Sequence, residues 1–338
     1  MLAPPMPRTL ITTALLLAAV VATIAADSGW LPPSLIANEP KANATKCSGG
    51  SVLTFSDGIQ ERCISVIAPT GQKMTLAPVL FWFHGSGGNA ADCDRHPLSH
   101  LAQQYGFALV CGEAVQFEHG GQWHIPQVIT DATGTPCGDS DTYEVPYIRG
   151  ALAALRAQGG LDLSRIFFSG CSQGSGFSTF ISTCTKQDNT TAGSLSAFAT
   201  HSTGLKTKGD GIEWDCCSDI EQCAACQYFP AKPFAVPATD ALGLKACVFD
   251  NAEDRLPPGT TNPFFYLSSK ELAAQWAAAG NRVETHFGAG GHCLVHSWMK
   301  IVSCLDDTTG RLIGQRALVE ARAGARLGGV DVEGGVEM

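Results

Sequence analysis

The stretch RIFFSGCSQGSGFSTF, at residues 165–180, contains the pattern G-x-S-x-G directly after an apolar run. The run lacks polar alternation, which is typical of a strand buried on both faces of a parallel sheet. The glycines permit a sharp turn from that strand into a helix, and such a turn lifts a serine hydroxyl above the sheet edge. The stretch therefore predicts a strand, a tight turn and a helix, with Ser172 as a candidate nucleophile.

On both sides of this stretch, from about residue 51 to residue 305, apolar and β-branched runs alternate with helical patterns. Such alternation is typical of an α/β fold, with a mostly parallel central sheet flanked by helices. Strands are predicted at residues 63–67, 79–83, 107–111, 166–169, 195–199, 246–249 and 283–287. Besides the helix after the turn, helices are predicted near residues 98–105, 145–156, 265–279 and 295–304.

The composition is that of a globular protein, with 45% hydrophobic and 16% charged residues in a chain of 338. This length allows one large domain or two, and a single α/β core is the simpler interpretation. The formal net charge is −9 and basic runs are absent. Because a nucleic-acid binder needs lysines and arginines to neutralise phosphates, we expect no nucleic-acid partner.

The first 26 residues have the layout of a secretory signal peptide. One positive charge, Arg8, precedes an apolar stretch at residues 10–24, and the small residues Ala25 and Ala26 follow. An apolar stretch of about 15 residues is shorter than the roughly 20 that span a bilayer. We therefore expect a secreted, extracellular protein that has no membrane association after signal removal.

All 14 cysteines follow the signal segment, and an even number in a secreted chain predicts disulfide bonds. Four of them lie in residues 204–237, a Pro- and Gly-containing segment. We interpret this segment as a disulfide-rich insertion before the predicted strand at residues 246–249. The C-x2-C spacing of Cys223 and Cys226, with Cys216 and Cys217 nearby, also resembles a zinc site. The oxidising compartment and the adjacent cysteines favour disulfides, so we expect no metal.

The remaining segments complete the predicted organisation. Residues 27–306 are predicted to form the domain that carries the candidate nucleophile, and residues 307–338 are predicted to be a flexible tail because they are rich in small residues. The sequons at Asn43 and Asn189 fit N-glycosylation in a eukaryotic host.

A serine hydroxyl is a poor nucleophile at neutral pH, so Ser172 needs a general base, and the attacked carbonyl needs hydrogen-bond donors. The sequence HGSGG, at residues 84–88, follows a predicted central strand, where its glycines let backbone N–H groups turn toward a substrate. The N–H groups of Ser86 and Gln173 are therefore the predicted oxyanion hole. His84 itself is interpreted as structural.

The general base is expected after the last strand, since the chain order of this kind of site is serine, acid, histidine. His292 lies there, in a Gly-Gly-His sequence that follows the predicted strand at residues 283–287. His292 is therefore the candidate base. The competing histidines are His119, His124, His201, His286 and His296.

The acid is expected after the preceding strand, in the sequence FDNAEDRLP at residues 249–257. Its role is to fix the histidine tautomer and to stabilise the imidazolium. Asp254 is preferred because aspartate is the commoner residue in this role, and Glu253 is the alternative because of its spacing to Leu256-Pro257. Asp250 is placed too close to the strand end.

These residues resemble secreted α/β-hydrolase esterases of the feruloyl esterase and polyhydroxybutyrate depolymerase group, over most of residues 50–305. The shared tracts are residues 80–85, 101–110, 122–126 and 199–205, the turn at Ser172 and the Gly-Gly-His end. The resemblance implies an α/β-hydrolase fold and hydrolysis of carboxylic esters, either phenolic (feruloyl-type) esters of plant walls or extracellular polymers, without a cofactor. The partner is then a small-molecule or polymer ester substrate.

A further likeness is to the tannase and fungal feruloyl esterase type, which has one cysteine directly before the nucleophile and another directly after the histidine. Cys171 and Cys293 match these positions. The resemblance implies a disulfide between them, and the alternative is that each pairs elsewhere. Trp123 is a candidate for the wall of the substrate pocket, with a core indole as the alternative.

Two classes of function fit this sequence. The first is a serine esterase that works through an acyl-enzyme, with a polyhydroxyalkanoate depolymerase or lipase-like esterase as the alternative within the class. The second is a binding protein that keeps the hydrolase fold without turnover, because a fold does not fix a function. The complete set of serine, histidine and carboxylate favours the enzyme.

Overall fold

The computed structural model describes Cys47 and residues 50–70, 76–117, 120–123, 144–187, 195–202, 243–254, 264–295, 297–306 and 312–313. The predicted signal peptide, the insertion at residues 204–237 with its possible zinc cluster, and both sequons lie outside the described residues and stay predictions. Among the described residues, no helix is long and apolar enough to cross a membrane.

The described chain has ten strands and five α-helices. The strands are β1 Ser51–Ser56, β2 Glu61–Ile67, β3 Ala77–Phe83, β4 Ala108–Gly112, β5 Val115–Phe117, β6 Gly120–Gln122, β7 Leu161–Cys171, β8 Leu195–His201, β9 Lys245–Asn251 and β10 Arg282–Gly288. The helices are α1 Pro97–Tyr105, α2 Glu144–Gln158, α3 Gln173–Gln187, α4 Phe264–Ala278 and α5 Trp298–Asp306, with a 3-10 helix at Ala90–Arg95.

Eight of the strands form one sheet in the order β1-β2-β4-β3-β7-β8-β9-β10, and β5 and β6 form a separate hairpin. β2 pairs antiparallel with β1 and β4, whereas every pair from β4 to β10 is parallel. Counted along the chain within this sheet, the order is 1-2-4-3-5-6-7-8, which is that of the α/β-hydrolase fold. The predicted fold class and all seven predicted strands are confirmed, and β1 and the hairpin were not predicted.

The central strands β3 and β7 form the middle of the core, and all seven residues of β3 are buried. On one face of the sheet, Leu80 and Phe167 pack in a core cluster with residues of α1 and α5. On the other face, the ring of Phe83 lies 4.7 Å from that of Phe177 in α3, and Phe198 lies 5.0 Å from Trp276 in α4. Helices on both faces explain why these strands have no polar alternation.

Two residues of the predicted flexible tail are part of the core. Leu312 and Ile313 are 2% and 5% exposed and belong to the cluster that contains α5. The carboxylate of Asp306 accepts hydrogen bonds from the N–H groups of Leu312 and Ile313. At these two residues the structure differs from the prediction, because apolar contact and a buried carboxylate hold the chain against α5.

Candidate active site

The turn between β7 and α3 places Ser172 at the carboxyl end of the sheet. Ser172 has φ +54°, a left-handed conformation that is costly for a residue with a side chain and is concentrated at functional sites. A Cβ at Gly170 would lie 2.4 Å from the Gly174 carbonyl oxygen, and one at Gly174 would lie 2.1 Å from that of Phe83. Both glycines are therefore required for the close approach of strand, turn and helix.

The turn is anchored to the end of β8. Ser172 N–H donates to His201 O at 3.0 Å, and Ser175 Oγ accepts from His201 N at 2.7 Å. Ser175 Oγ also donates to Gly170 O at 2.8 Å. These bonds fix the position of Ser172 relative to β8, while its side chain remains partly exposed.

The structure brings His292 and Asp254 together. His292 Nδ1 lies 2.8 Å from Asp254 Oδ1, the imidazole side chain is 36% exposed, and the Asp254 side chain is fully buried. Glu253, the alternative acid, is exposed, and its described hydrogen bond runs from its backbone N–H to Gly290 O at 3.1 Å. The geometry therefore favours Asp254 as the partner of His292.

The loops that carry the acid and the histidine are hydrogen-bonded to each other. Ala252 N–H donates to Gly288 O at 2.9 Å. The side-chain amide of Asn251 donates to Gly291 O at 2.9 Å and to Leu294 O at 2.8 Å. Since these bonds lie on both sides of His292, they fix the ring relative to Asp254.

The electrostatics of Asp254 fit a carboxylate that remains ionised. Burial acts to raise its pKa, but the hydrogen bond and the charge of His292, with smaller contributions from Ser202 and Asp250, hold the pKa below its usual value. An ionised Asp254 keeps the proton of the neutral imidazole on Nδ1. Nε2 is then the nitrogen that can exchange a proton with a nucleophile.

A disulfide joins Cys171 to Cys293, with their Cα atoms 5.9 Å apart. The two cysteines directly precede Ser172 and directly follow His292. With 3.8 Å between successive Cα atoms, the Cα atoms of Ser172 and His292 lie within about 13.5 Å of each other. The structure thus holds the candidate nucleophile and base in one region, at the ends of β7 and β10.

The glycine loop after β3 lies against the nucleophile. A Cβ at Gly85 would lie 3.3 Å from the Cβ of Ser172. The N–H groups of Gly87 and Gly88 bond within the protein, to Gly121 O at 2.8 Å and Gly85 O at 3.1 Å.

Of the predicted oxyanion-hole residues, Gln173 directly follows Ser172 in the chain, and Ser86 directly follows Gly85, which lies against Ser172. Ser86 is exposed within the glycine loop. Gln173 begins α3, so its N–H belongs to the first turn, where amides have no intrahelical partner. This placement is compatible with an oxyanion hole formed by the two amides.

His84 and Trp123 support this loop from the core. His84 Nδ1 donates to Gly85 O at 2.7 Å and Nε2 accepts from Ala114 N–H at 3.3 Å, while burial lowers its pKa to about 4. Trp123 Nε1 donates to His84 O at 2.9 Å, and its ring stacks on Phe177 at 4.3 Å. Because Trp123 is only 1% exposed, the core-indole alternative holds and the predicted role in lining the substrate pocket is not supported.

Two of the competing histidines have other surroundings. His201 is buried, with Nδ1 3.0 Å from Ser202 Oγ. His286 stacks on Phe249 at 4.5 Å and bonds Glu284 through Nε2 at 2.8 Å. His119, His124 and His296 lie outside the described residues.

Sequence reasoning missed Ser202. This residue directly follows β8, has φ +56° and is fully buried, and its Oγ accepts from Cys293 N–H at 2.8 Å. It therefore ties the histidine loop to β8. A signal was present, because a histidine and a serine lie at the end of a buried strand, at the edge where the nucleophile turn lies.

Two groups in the described part of the chain have the spacing of metal ligands. They are Cys171 with His201 and Cys293, and Glu284 with His286 and Cys304. Cys171 and Cys293 are bonded to each other, and Cys304 is bonded to Cys247. Since a disulfide offers no thiolate, neither group is a metal site.

Comparisons with known proteins find likenesses of structure only. No protein-family model matches the chain, and no curated protein matches it. The structure is similar to a thermostable carboxylesterase from a metagenomic library, with TM-score 0.46, 15% identity and coverage of 84% of this chain and 91% of that one. It is also similar to a ferulic acid esterase, with TM-score 0.47, 15% identity and coverage of 72% of this chain and 90% of that one. An S-formylglutathione hydrolase from Agrobacterium tumefaciens matches with TM-score 0.46, 13% identity and coverage of 76% of this chain and 91% of that one. Because these values are low, the fold is assigned from the strand order and the turn at Ser172.

Proposed function

We propose that this protein is a serine carboxylic-ester hydrolase that works through an acyl-enzyme. The observation that carries the proposal is the left-handed turn that presents Ser172 beside a disulfide-linked loop bearing the His292–Asp254 pair. A strained serine, a histidine and a buried carboxylate at one sheet edge are the parts of a nucleophilic site.

In the first half of the reaction, Ser172 Oγ attacks the ester carbonyl while His292 Nε2 takes the hydroxyl proton. The imidazolium then gives that proton to the departing alcohol as the C–O bond breaks, which leaves an acyl group on Ser172. Asp254 stabilises the imidazolium through Nδ1. In the second half, His292 activates a water molecule, which releases the carboxylic acid and restores the Ser172 hydroxyl.

Negative charge develops on the carbonyl oxygen in both halves. The N–H groups of Gln173 and Ser86 are the proposed donors. His84 and Trp123 fix the Ser86 side of this hole, since they bond the backbone of the loop and are themselves buried. Such preorganised donors are worth about 10²–10³ in kcat each.

For the substrate and the compartment, we propose a secreted enzyme that acts on phenolic, feruloyl-type esters or on polymer esters. Disulfides support an oxidising compartment: the described residues include Cys47–Cys63, Cys93–Cys111, Cys171–Cys293 and Cys247–Cys304. The phenolic or polymeric substrate rests on the sequence resemblance.

The test is hydrolysis by purified protein of p-nitrophenyl acetate, methyl ferulate and polyhydroxybutyrate, with Ser172→Ala as the control. We expect ester hydrolysis that falls by about 10⁴-fold or more in the variant while its circular dichroism is unchanged. A fluorophosphonate probe should label Ser172 in the wild type. Absence of both labelling and hydrolysis would favour a binding protein on a hydrolase fold.

A further inference from the structure

A second buried carboxylic acid, Asp250, lies beside Asp254. Asp250 is in β9 and is 1% exposed, and it is near enough to Asp254 for the two carboxyl groups to interact. Its Oδ1 accepts from Asn251 N–H at 2.7 Å, and its Oδ2 is hydrogen-bonded to Ser269 Oγ of α4. Two carboxyl groups that share a buried site do not both ionise readily, so the pKa of one of them is raised.

The Asp254 carboxylate needs a second donor. Oδ1 bonds His292 Nδ1, whereas Oδ2 is buried and has no hydrogen-bond partner of good geometry. In the described structure, the other side chains that make looser contacts with this carboxylate are Ser202 and Asp250. Because a buried acceptor without a donor is costly, these neighbours determine where the carboxylate lies.

The Ser202 hydroxyl is shared among several partners. Its Oγ accepts from Cys293 N–H at 2.8 Å and lies 3.0 Å from His201 Nδ1. A hydroxyl has one proton to donate, so Ser202 can serve His201 or Asp254 with it, but not both. Asp250 can supply a donor of its own only when its carboxyl is protonated.

We propose that Asp250 is a positioning residue that stays protonated and donates a hydrogen bond to the Asp254 carboxylate, which keeps Asp254 directed at His292. Its effect on catalysis rests on the esterase function proposed above, whereas its protonated state is a property of the fold. Burial first, and then the charge of Asp254, raise the pKa of Asp250 to about 8. Ionisation above that pH puts two negative charges side by side and displaces Asp254.

A cavity of about 150 Å³, partly open to solvent, borders Asp250. The other titratable side chains on its wall are His201 of β8, His286 of β10 and Lys300 of α5. His286 is paired with Glu284, and Lys300 is exposed. Together with Asp254, these groups are the charges that an ionised Asp250 meets.

Two substitutions of Asp250 distinguish the effect of its hydrogen-bond donor from the effect of its ionisation. Asp250→Asn keeps a donor beside Asp254 but cannot ionise, and Asp250→Ala removes the donor. On p-nitrophenyl acetate at pH 7, we expect kcat within about threefold of wild type for the first and a loss of about tenfold or more for the second. Wild-type kcat should fall as the pH rises through about 8, whereas the Asn variant should keep its activity there.

Two further variants guard against a trivial result. Glu253→Gln also removes one carboxylate from this loop, but from an exposed side chain, so its pH profile should match the wild type. Ser269→Ala removes a hydrogen bond that lowers the pKa of Asp250, so the alkaline fall should move to higher pH. The latter variant tests the inference even if substitutions of Asp250 impair folding.

The protonated state is tested without any activity. A carboxyl with a raised pKa in the folded state stabilises the fold fully below its unfolded pKa of about 4 and progressively less as the pH rises to about 8. The Tm of wild type should therefore decline relative to that of Asp250→Asn across this interval. In NMR titrations, the ring of His292 should show a second inflection near pH 8 in wild type that is absent from the Asn variant.

The outcomes are distinguishable. If ester hydrolysis is absent but the Tm difference and the second inflection are present, the proposed function fails and the inference stands. If hydrolysis is present and the alkaline limbs of wild type and Asp250→Asn coincide, the positioning role is overturned. A His292 titration that is identical in both proteins overturns it as well.

Discussion

His84 and His292 lie in two glycine-containing loops at the same end of the sheet, yet their surroundings differ. His84 is 4% exposed, both of its ring nitrogens bond backbone groups, and burial lowers its pKa to about 4. His292 is 36% exposed, and its Nδ1 bonds a buried carboxylate. The first ring fixes a loop, and the second can accept and return a proton.

The role of a histidine in such a loop therefore depends on the groups that its two ring nitrogens bind. A ring with both nitrogens on the backbone cannot take a proton without losing a hydrogen bond. A ring whose Nδ1 is held by an ionised carboxylate gains stability when it becomes charged. In the proposed mechanism the two histidines therefore differ in role: His84 fixes the loop of the proposed oxyanion donor Ser86, and His292 is the base for Ser172.

The largest expected effect comes from exchanging each ring for alanine. His292→Ala should lower kcat by about 10⁴-fold or more with little change in Tm, since the ring is partly exposed. His84→Ala should lower kcat by only about tenfold but should also lower Tm, because it removes a buried ring and two hydrogen bonds. Kinetics on p-nitrophenyl acetate and thermal melts measure both. Similar losses of kcat in the two variants would contradict the different roles of His84 and His292.

The carboxylate partner gives the next largest effect. Asp254→Asn should lower kcat by up to about 10⁴-fold, because an amide favours the wrong tautomer of His292. Glu253→Gln should change kcat by less than about twofold, since its side chain is exposed. A large loss in Glu253→Gln with normal activity in Asp254→Asn would transfer the role to Glu253.

The disulfide beside His292 should have an intermediate effect. The Cys171→Ala, Cys293→Ala double variant should lose stability of about 2–5 kcal/mol and also about 10² in kcat, because small displacements of reacting groups are costly. The matched control is Cys247→Ala with Cys304→Ala, which removes the bond between β9 and α5. It should lose a similar free energy of unfolding while kcat at 25 °C changes little. Equal kcat in both double variants would show that the first bond stabilises the fold alone.

The turn, the central strands and the histidine loop could be predicted because their signals are local. Apolar runs without polar alternation mark strands covered on both faces, and glycines mark a turn that needs close backbone approach. β1 was missed because it is an edge strand with exposed and half-buried residues, so it has no apolar run.

The sequence favoured Asp254 over Glu253 only because aspartate is the commoner residue in this role, and it gave no local signal that separates the two. The two are adjacent in one loop, and backbone bonds to the loop after β10 decide which side chain turns inward, among them Glu253 N–H to Gly290 O. Asp250 was set aside for its position at the strand end, where the structure instead shows a buried contact with Asp254. Contacts between segments about 40 residues apart leave no trace in local composition.

The smallest expected effect concerns the indole that holds the loop of His84. Trp123→Phe keeps the ring stacked on Phe177 but removes the Nε1 donor from His84 O, so a buried carbonyl loses its partner. We expect a loss of about 1–3 kcal/mol in the free energy of unfolding. We also expect kcat to fall by about threefold to tenfold, since one side of the oxyanion hole loosens.

Because the Trp123 ring is buried, kcat of Trp123→Phe should fall by the same factor on p-nitrophenyl acetate and on methyl ferulate, with KM unchanged for both substrates. Trp276→Phe is the matched control: this indole is also fully buried, it packs on Phe198 of β8 and not on the loop of His84, and its Nε1 has no described hydrogen-bond partner. It should lower Tm without changing kcat. A rise in KM for methyl ferulate alone in Trp123→Phe would instead show that Trp123 lines the substrate pocket. It would contradict a role of Trp123 in supporting the loop of His84.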